Sequence, residues 1–264
     1  MNITHLYHYT KAETAIRKIL PDKVLLMNFL ANMNDPKENL THVINVNESI
    51  NQWKNGVSNY QEFLLAHKIR DGVRLSSFST DREFLVEGRM QKLKGYEFQK
   101  MWSMYGQNFE GVCFEIDKNI FIEENESLIK SHKIIKNKVE YKTYQFIDIP
   151  TPLQGVDLSK NKNHRTPTLS EFWENLKEDE RFINERLFTK NIDWEGESEY
   201  RFITLSNDSD SIYLSMQKSL TKVILGLNFS KHLLPSIEAL VPKDKIYQII
   251  LDKFDGKFRI EKVF

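Results

Sequence analysis

Cysteine is nearly absent from this sequence, because Cys113 is the one thiol in 264 residues. A single cysteine excludes an internal disulfide and a zinc site built from several thiolates. Apolar runs are short as well, and none approaches the roughly 20 residues that a membrane-spanning helix needs. The first residues, 1–5, lack the basic and apolar segments of a signal peptide. We therefore expect a cytoplasmic protein with no membrane partner.

Net charge is absent too, because 37 Lys and Arg residues balance 37 Asp and Glu residues. No overall field is available to attract nucleic acid or an anionic membrane. Nucleic acid stays open as a partner, since net charge does not describe local arrangement, but the composition does not indicate it. Hydrophobic residues make up 40% of the chain and aromatic residues 12%, which is enough for a proper core.

Familiar catalytic and nucleotide-binding motifs are also missing. The chain has no Gly-x-Gly-x-x-Gly, no Walker loop, no His-Glu-x-x-His and no Gly-x-Ser-x-Gly. The seven histidines do not show the spacing of metal ligands. The sequence therefore predicts no metal, although dispersed carboxylates such as Asp35, Glu38 and Glu115 can still meet in space.

The pattern of short elements indicates the fold class. Alternating or continuous apolar residues predict strands, and the helices between them are too irregular for a doubly wound parallel sheet. We predict an α+β fold with mixed, mostly antiparallel sheets and flanking helices. The predicted strands lie at 6–10, 24–27, 73–79, 112–117, 133–135, 139–144, 197–203, 212–214 and 223–225, followed by a hairpin of 246–254 and 258–264.

Capping residues mark two helix starts. Thr10 with Glu13 predicts the first, and Asp35 with Pro36 and Glu38 predicts the second. Further predicted helices cover 60–67, 95–105, 170–188 and 231–240.

Proline, glycine and polar residues concentrate in residues 147–168. This composition predicts a long loop or an insertion. We expect residues 1–264 to form a single α+β domain with this one interruption.

The acidic segment that begins at Glu197 is the strongest candidate for an active site. On a strand, Glu197, Glu199 and Arg201 share one face, while the residues between them face the core. An arginine beside a carboxylate holds it ionised and oriented, as a charge-stabilising group requires. The alternative is a solvated strand edge with exposed ion pairs, each contributing roughly 0–1 kcal/mol. The pattern alone does not separate these two interpretations.

Other polar positions can hold a ligand. His8 ends the first strand before a helix and can donate to a ligand hydroxyl or phosphate, although such a histidine is more often a core or turn residue. Ser77 and Ser79 place two hydroxyls on one face of a strand end, which is also common turn chemistry. Tyr105 follows Trp102 on one helical face and either stacks against a planar ring or packs in the core.

Taken in order, the short motifs resemble one known family. They are Leu6-Tyr7-His8-Tyr9-Thr10, Asn34-Asp35-Pro36-x-Glu38, Ser77-Phe78-Ser79, Met101-Trp102-x-x-Tyr105-Gly106, Gly111-Val112-Cys113-Phe114 and Trp194-x-x-Glu197-x-Glu199-Tyr200-Arg201. From about Leu6 to Gly226 the chain resembles the prokaryotic and phage family called domain of unknown function 2971. That family label names no reaction.

A more distant likeness is to the ADP-ribosyltransferases. Their usual elements are a first-strand His or Arg, a second-strand Ser or Tyr motif and a late-strand Glu, often within Glu-x-Glu. The corresponding residues occur in that order as His8-Tyr9-Thr10, Ser77-x-Ser79 and Glu197-x-Glu199. The likeness implies a split-sheet fold of that type and NAD as the substrate.

The same likeness implies a role for each matched residue. His8 would bind a ribose of NAD, and Ser77 or Ser79 would support the pocket. Glu199 would hydrogen-bond the nicotinamide ribose 2′-OH and stabilise an oxocarbenium-like centre, and Glu197 would position the incoming nucleophile. The remaining residues expected around the cofactor are Tyr9, Thr10, Tyr105 and Arg201.

Our leading hypothesis is an NAD-using ADP-ribosyltransferase-like or NAD-cleaving enzyme, which the family resemblance places in bacterial conflict or phage defence. Its partners would be NAD or a related nucleotide and a macromolecular acceptor that the sequence does not identify. The first requirement is that His8, Ser77 and Glu199 meet in one cleft.

Two alternatives stay open. One is a metal-dependent nuclease or hydrolase, which needs three carboxylates within metal-bridging distance. Its candidate carboxylates are Asp35, Glu38, Glu115, Glu197 and Glu199. The other is a non-catalytic binding module whose motifs serve the fold.

Overall fold

Short strands dominate the protein, as the alternation of side chains predicts. The computed structural model describes residues 3–35, 69–143, 183–205 and 210–264, with the single residues 67, 174, 178 and 180. In chain order the strands described are β1 (His5–Thr10), β2 (Val24–Leu26), β3 (Asn28–Phe29), β4 (Val73–Ser79), β5 (Arg82–Val86), β6 (Arg89–Leu93), β7 (Val112–Asp117), β8 (Ile135–Lys138), β9 (Glu140–Lys142), β10 (Thr189–Asn191), β11 (Glu199–Leu205), β12 (Tyr213–Ser215), β13 (Leu220–Leu225), β14 (Ile246–Leu251) and β15 (Phe258–Lys262).

Nine of the described strands form one mixed sheet. Its order is β15-β14-β13-β7-β1-β4-β11-β8, and β3 also pairs with β4. β13 and β14 run parallel, whereas the other neighbours are antiparallel. Three smaller pairs are β2 with β12, β5 with β6, and β9 with β10, the last being parallel. The predicted α+β class with mixed, mostly antiparallel sheets is confirmed.

Short helices flank the sheet. The α-helices described are Ala12–Thr14, Gln99–Met104, Lys118–Glu124, Glu126–Ser131 and Leu234–Leu240. Two π-helical segments are Ala15–Ile19 and Ile183–Leu187, and the 3-10 turns are Leu30–Asn32, Gly95–Glu97, Ile192–Glu197, Lys231–Leu233 and Lys243–Lys245. Among the residues described, no helix is long and apolar enough to cross a membrane.

The helix start predicted at Thr10 is wrong. Thr10 is the last residue of β1, where its backbone pairs with Val112. Lys11 precedes the helix instead and makes no side-chain cap, while Glu13 pairs with Arg17 at 3.2 Å. Sheet pairing therefore outweighs the local capping pattern.

Four predicted features fall partly or wholly outside the described residues. The predicted loop at 147–168 lies outside them, as do most of the predicted helices at 60–67 and 170–188. Of the second predicted helix start, Asp35 is described and buried, whereas Pro36 and Glu38 are not described.

The two faces of the main sheet differ in polarity. One face is an apolar layer centred on Leu6, Phe114 and Phe202. The other carries two apolar clusters, one around Leu75 with Ile203 and one around the buried Trp102. Buried polar residues of β4 and β11 lie between those clusters, because their side chains alternate with the apolar layer. This polar centre contains Ser77, Ser79, Glu199 and Arg201 of the predicted site, whereas the His8 ring packs against Phe78 and Phe114 of the apolar layer.

Candidate active site

The main sheet opens between β1 and β4, at the centre of the fold. Tyr7 opposite Ser79 is the one register pair described between these strands, whereas β1 pairs along its whole length with β7. Next to that pair, a side chain and not the backbone of β1 contacts β4: Nδ1 of His8 lies 3.2 Å from the carbonyl oxygen of Ser77. The separation of the two strands makes room for a ligand between them.

A cavity of about 1100 Å³ occupies this opening. The strands β1 and β4 line it from the sheet, and the first helix and Tyr105 contribute further walls. Eight of the predicted site residues line it, and they are His8, Tyr9, Thr10, Ser77, Ser79, Tyr105, Glu197 and Glu199. The structure thus brings His8, Ser77 and Glu199 into one cavity, although the sequence separates them widely.

The position of Glu197 differs from the prediction. β11 begins at Glu199, so Glu197 is not on the strand but ends the preceding 3-10 turn. Ser198 between them has φ +46°, a left-handed conformation that a serine rarely adopts. Its carbonyl oxygen is held by the backbone N–H and the hydroxyl of Thr80. Glu197 therefore comes to lie beside Glu199 through this turn, and not through the alternation of side chains along a strand.

Arg201 holds Glu199 in place. Its Nε and Nη2 atoms donate to the two oxygens of Glu199 at 2.7 and 3.0 Å, and its Nη1 donates to the carbonyl oxygen of Leu187 at 2.7 Å. Both side chains are buried, so the interpretation of this segment as a solvated edge is wrong. As far as the described cavity wall extends, Arg201 is not part of it, and it supports the carboxylate from behind.

Lys190 contacts both carboxylates and is not among the site residues expected from the sequence. Its Nζ lies 2.8 Å from Glu197 Oε2 and 3.1 Å from Glu199 Oε2. The same ammonium lies 5.0 Å from the ring centroid of Trp194. Lys190 belongs to β10, which carries no recognisable motif. A lysine a few residues before an acidic segment is the weak signal that was available.

Tyr105 completes the network around Glu197. Its hydroxyl donates to Glu197 Oε1 at 2.8 Å. Burial and the nearby charge of Glu197 raise the pKa of the Tyr105 phenol, so the group stays a hydrogen-bond donor. Trp102 is fully buried and donates from Nε1 to the carbonyl oxygen of Tyr96, so it packs in the core.

Glu199 is ionised despite its burial. Burial by itself raises the pKa of a carboxyl group, but the charges of Arg201 and Lys190 and the hydrogen bonds from Arg201 outweigh it and lower the pKa of Glu199 to about 2. The Tyr141 hydroxyl accepts the backbone N–H of Glu199 at 2.8 Å. The result is a fixed negative charge on the cavity wall.

His8 lines the cavity, and its surroundings favour the neutral ring. Because a carbonyl oxygen only accepts, the contact with Ser77 makes Nδ1 the donor and leaves Nε2 without a proton in the neutral ring. Burial lowers the pKa of His8, which favours this neutral form. The ring stacks on Phe114 with centroids 6.5 Å apart. A ligand hydroxyl suits Nε2 better than a phosphate, because a hydroxyl can donate.

Three other cavity residues have distinct environments. The Tyr9 hydroxyl donates to the carbonyl oxygen of Gly95, so its polar end is already used. Thr10 is buried at the end of β1. The hydroxyl oxygen of Ser79 is shielded from solvent and has no hydrogen-bond partner among the described residues. A buried hydroxyl without a partner costs free energy, and a ligand or a water molecule can supply the missing hydrogen bond.

The carboxylates proposed for a metal site that the structure describes are Asp35, Glu115, Glu197 and Glu199. Within the described ranges, no group of three or more His, Cys, Asp or Glu side chains is arranged to hold a metal ion. Glu115 is committed to Lys222, with Nζ at 2.6 Å from Oε1, and it lies outside the cavity lining. Between Glu197 and Glu199, the Lys190 ammonium occupies the position that a cation would take.

Comparison with known proteins supports the family resemblance over part of the chain. The model of the family described as "Protein of unknown function (DUF2971)" matches residues 101–202. That segment includes Tyr105, Lys190, Glu197 and Glu199. Neither the curated proteins nor the solved structures give a match.

Proposed function

We propose that this protein is an NAD-using enzyme of the ADP-ribosyltransferase-like or NAD-cleaving type, with Glu199 at the reaction centre. The observation that carries the proposal is the buried, ionised carboxylate of Glu199 on the wall of a cavity that also contains His8 and Ser77. These are the residues that the likeness to ADP-ribosyltransferases assigns to ribose binding, pocket support and catalysis.

The chemistry of glycosidic cleavage suits this carboxylate. When the bond between ribose C1′ and the nicotinamide nitrogen breaks, its electron pair leaves with nicotinamide and positive charge develops on the ribose. A carboxylate that is fixed before the reaction stabilises that charge without reorganisation. In this proposal Glu199 accepts from the ribose 2′-OH and faces the developing charge.

Glu197 is assigned to the nucleophile. A water molecule or an acceptor group forms the new bond to C1′ and loses a proton, which the Glu197 carboxylate is placed to receive. Tyr105 and Lys190 orient that carboxylate through bonds of 2.8 Å each. Water as the nucleophile gives NAD cleavage, and a macromolecular acceptor gives ADP-ribosyl transfer.

The cavity size supports a dinucleotide. Sites for small molecules occupy roughly 300–1000 Å³, and this cavity has about 1100 Å³. Lys18 lines it and supplies a cation for the pyrophosphate. His8 Nε2 accepts a ribose hydroxyl, in keeping with its neutral state.

A metal-dependent nuclease has less support. Such an enzyme needs carboxylates that turn their oxygens toward a common cation. Glu197 and Glu199 instead share the ammonium of Lys190, and Glu115 is bound to Lys222. A role in bacterial conflict or phage defence is part of the proposal through the family resemblance alone.

The test follows free nicotinamide by chromatography after incubation with NAD. Three proteins are compared: the wild type, Glu199→Gln and Glu115→Gln. Glu115 is a matched control because it is a buried, lysine-paired glutamate of the same sheet that does not line the cavity. Circular dichroism at the assay temperature establishes that each variant is folded.

We expect the wild type to release nicotinamide and Glu199→Gln to be slower by about 100-fold or more, as for loss of a transition-state charge partner. Glu115→Gln should keep most of the activity. If the wild type releases no nicotinamide and labels none of several candidate protein and nucleic-acid acceptors, the enzyme proposal fails. A rise in melting temperature with NAD in that case would favour the binding-module alternative.

A further inference from the structure

Lys190 is a buried lysine that lines the central cavity. Its side chain is 6% exposed. Burying an ammonium costs several kcal/mol unless it is paired and hydrogen-bonded. Here it is paired twice, with Glu197 and with Glu199, and it sits over the face of Trp194. The two pairings compensate the burial of the ammonium, and in turn the ammonium holds both carboxylates.

We infer that Lys190 is a positioning residue that lets the Glu197 and Glu199 carboxylates lie side by side without repelling each other. The Oε2 atom of each carboxylate contacts the Lys190 ammonium, and the Oε1 atom of each carboxylate accepts a hydrogen bond from a different residue. Glu197 Oε1 accepts from Tyr105, and Glu199 Oε1 accepts from Arg201. The inference deepens the proposed function, on which its catalytic consequence depends.

Two carboxylates that contact the same ammonium lie close together, and in a low-dielectric site they repel each other strongly unless a cation compensates them. Arg201 compensates Glu199 from one side, and Lys190 is the cation that both carboxylates share. Other groups described around them include the Tyr105 phenol, whose hydroxyl donates to Glu197, and the Tyr141 phenol, whose hydroxyl accepts from the backbone of Glu199.

Removal of the Lys190 charge leaves the two carboxylates in direct opposition. The system relieves that repulsion by taking up a proton, so the pKa of Glu199 rises from its present value of about 2. A protonated Glu199 neither stabilises a positive charge nor binds Arg201 as strongly. If Glu199 acts as proposed, the rate of nicotinamide release therefore begins to fall at a higher pH on the acid side of its pH profile.

The experiment uses four variants of the full chain: Lys190→Met, Lys190→Arg, Glu197→Gln, and the double variant Lys190→Met with Glu197→Gln. The first readout is the melting temperature at pH 7, which does not depend on any activity. The second is the pH profile of nicotinamide release between pH 4 and pH 8. The matched control is Lys222→Met, which removes the partner of Glu115 outside the cavity.

We expect Lys190→Met to lower the melting temperature by several degrees and Lys190→Arg to restore most of the loss. The double variant should melt above Lys190→Met, because removing one carboxylate relieves the repulsion. Additive losses in the double variant would overturn the inference, since a packing role predicts them. In the rate measurement, Lys190→Met should move the acid limb upward by about one pH unit or more, whereas Lys222→Met should leave it in place.

The two proposals fail separately. If the wild type releases no nicotinamide, the proposed function fails, while the melting temperatures still decide the charge-sharing role of Lys190. If nicotinamide is released and the acid limb is the same in Lys190→Met and wild type, Lys190 has no catalytic positioning role and the proposed function stands.

Discussion

Tyr105 donates a 2.8 Å hydrogen bond to Glu197, which lies 92 residues further along the chain. The bond joins the end of the helix Gln99–Met104 to the 3-10 turn before β11. Both side chains line the central cavity, so the contact closes one of its walls. It links two sequence motifs that had no evident relation and gives the aromatic motif a place in the site.

Tyr105→Phe removes this bond and preserves the shape of the ring. Because the acceptor is a carboxylate, the lost bond contributes about 1.5–3 kcal/mol before compensation from Lys190. We expect a moderately lower melting temperature and a nicotinamide-release rate lower by about 10-fold. Tyr96→Phe is the control, since it removes a tyrosine hydroxyl outside the cavity lining. Equal rates for the two variants would exclude a role for the Tyr105 hydroxyl.

The stability of the protein should depend on the ionisation of Glu199. Its pKa is about 2 in the folded chain against 4.5 for the ordinary carboxyl. At about 1.4 kcal/mol per pKa unit this difference corresponds to roughly 3 kcal/mol. Because the folded pKa is the lower one, the contribution is fully present above about pH 4.5 and is lost as the pH falls toward 2.

Urea unfolding of wild type and Glu199→Gln at several pH values checks this expectation. The free energy of unfolding of Glu199→Gln should be lower by roughly 3 kcal/mol at pH 7, and the gap should narrow as the pH falls below 4.5. A gap that is independent of pH would mean that Glu199 stabilises the fold through packing and not through its charge.

Ser79→Ala should separate stability from binding. The Ser79 hydroxyl is buried without a partner among the described residues, so its removal should leave the free energy of unfolding unchanged or raise it by up to about 1 kcal/mol. Binding of NAD should weaken if the ligand supplies the missing partner. Thr80→Val is the contrasting control, because the Thr80 hydroxyl donates to Ser198 at 3.0 Å. That change should cost about 1–2 kcal/mol.

Gly111 should not tolerate a side chain. A Cβ atom there would lie 2.3 Å from the backbone oxygen of Thr10, at the edge of the cavity. We expect Gly111→Ala to lower the free energy of unfolding by about 1–3 kcal/mol. At Gly196 the nearest atom to a Cβ is the Cδ of Lys100 at 3.6 Å, an ordinary contact. Gly196→Ala should therefore stay within about 0.5 kcal/mol of wild type.

Much of the fold was predictable, because the alternation of apolar and polar residues within each segment indicates where a strand begins and ends. Periodicity placed β4 and β7 at their observed bounds, and it separated the core residue Phe114 from its neighbour Cys113 on the opposite face. The hairpin β5–β6 was missed, since its residues are largely exposed and lack a clear alternation. The helix start at Thr10 was wrong because a non-local strand pairing claimed that residue.

The candidate site was also predictable only in part. Polarity in a strand can be recognised from the neighbouring residues alone, so the sequence identified the residue types that were out of place, namely carboxylates and an arginine beside core aromatics. Three relations are visible only in the folded chain: β1 and β4 separate, Ser198 turns Glu197 toward Glu199, and Lys190 lies between the two carboxylates. The first relation joins distant parts of the chain, and all three depend on backbone geometry and burial, which sequence spacing does not encode.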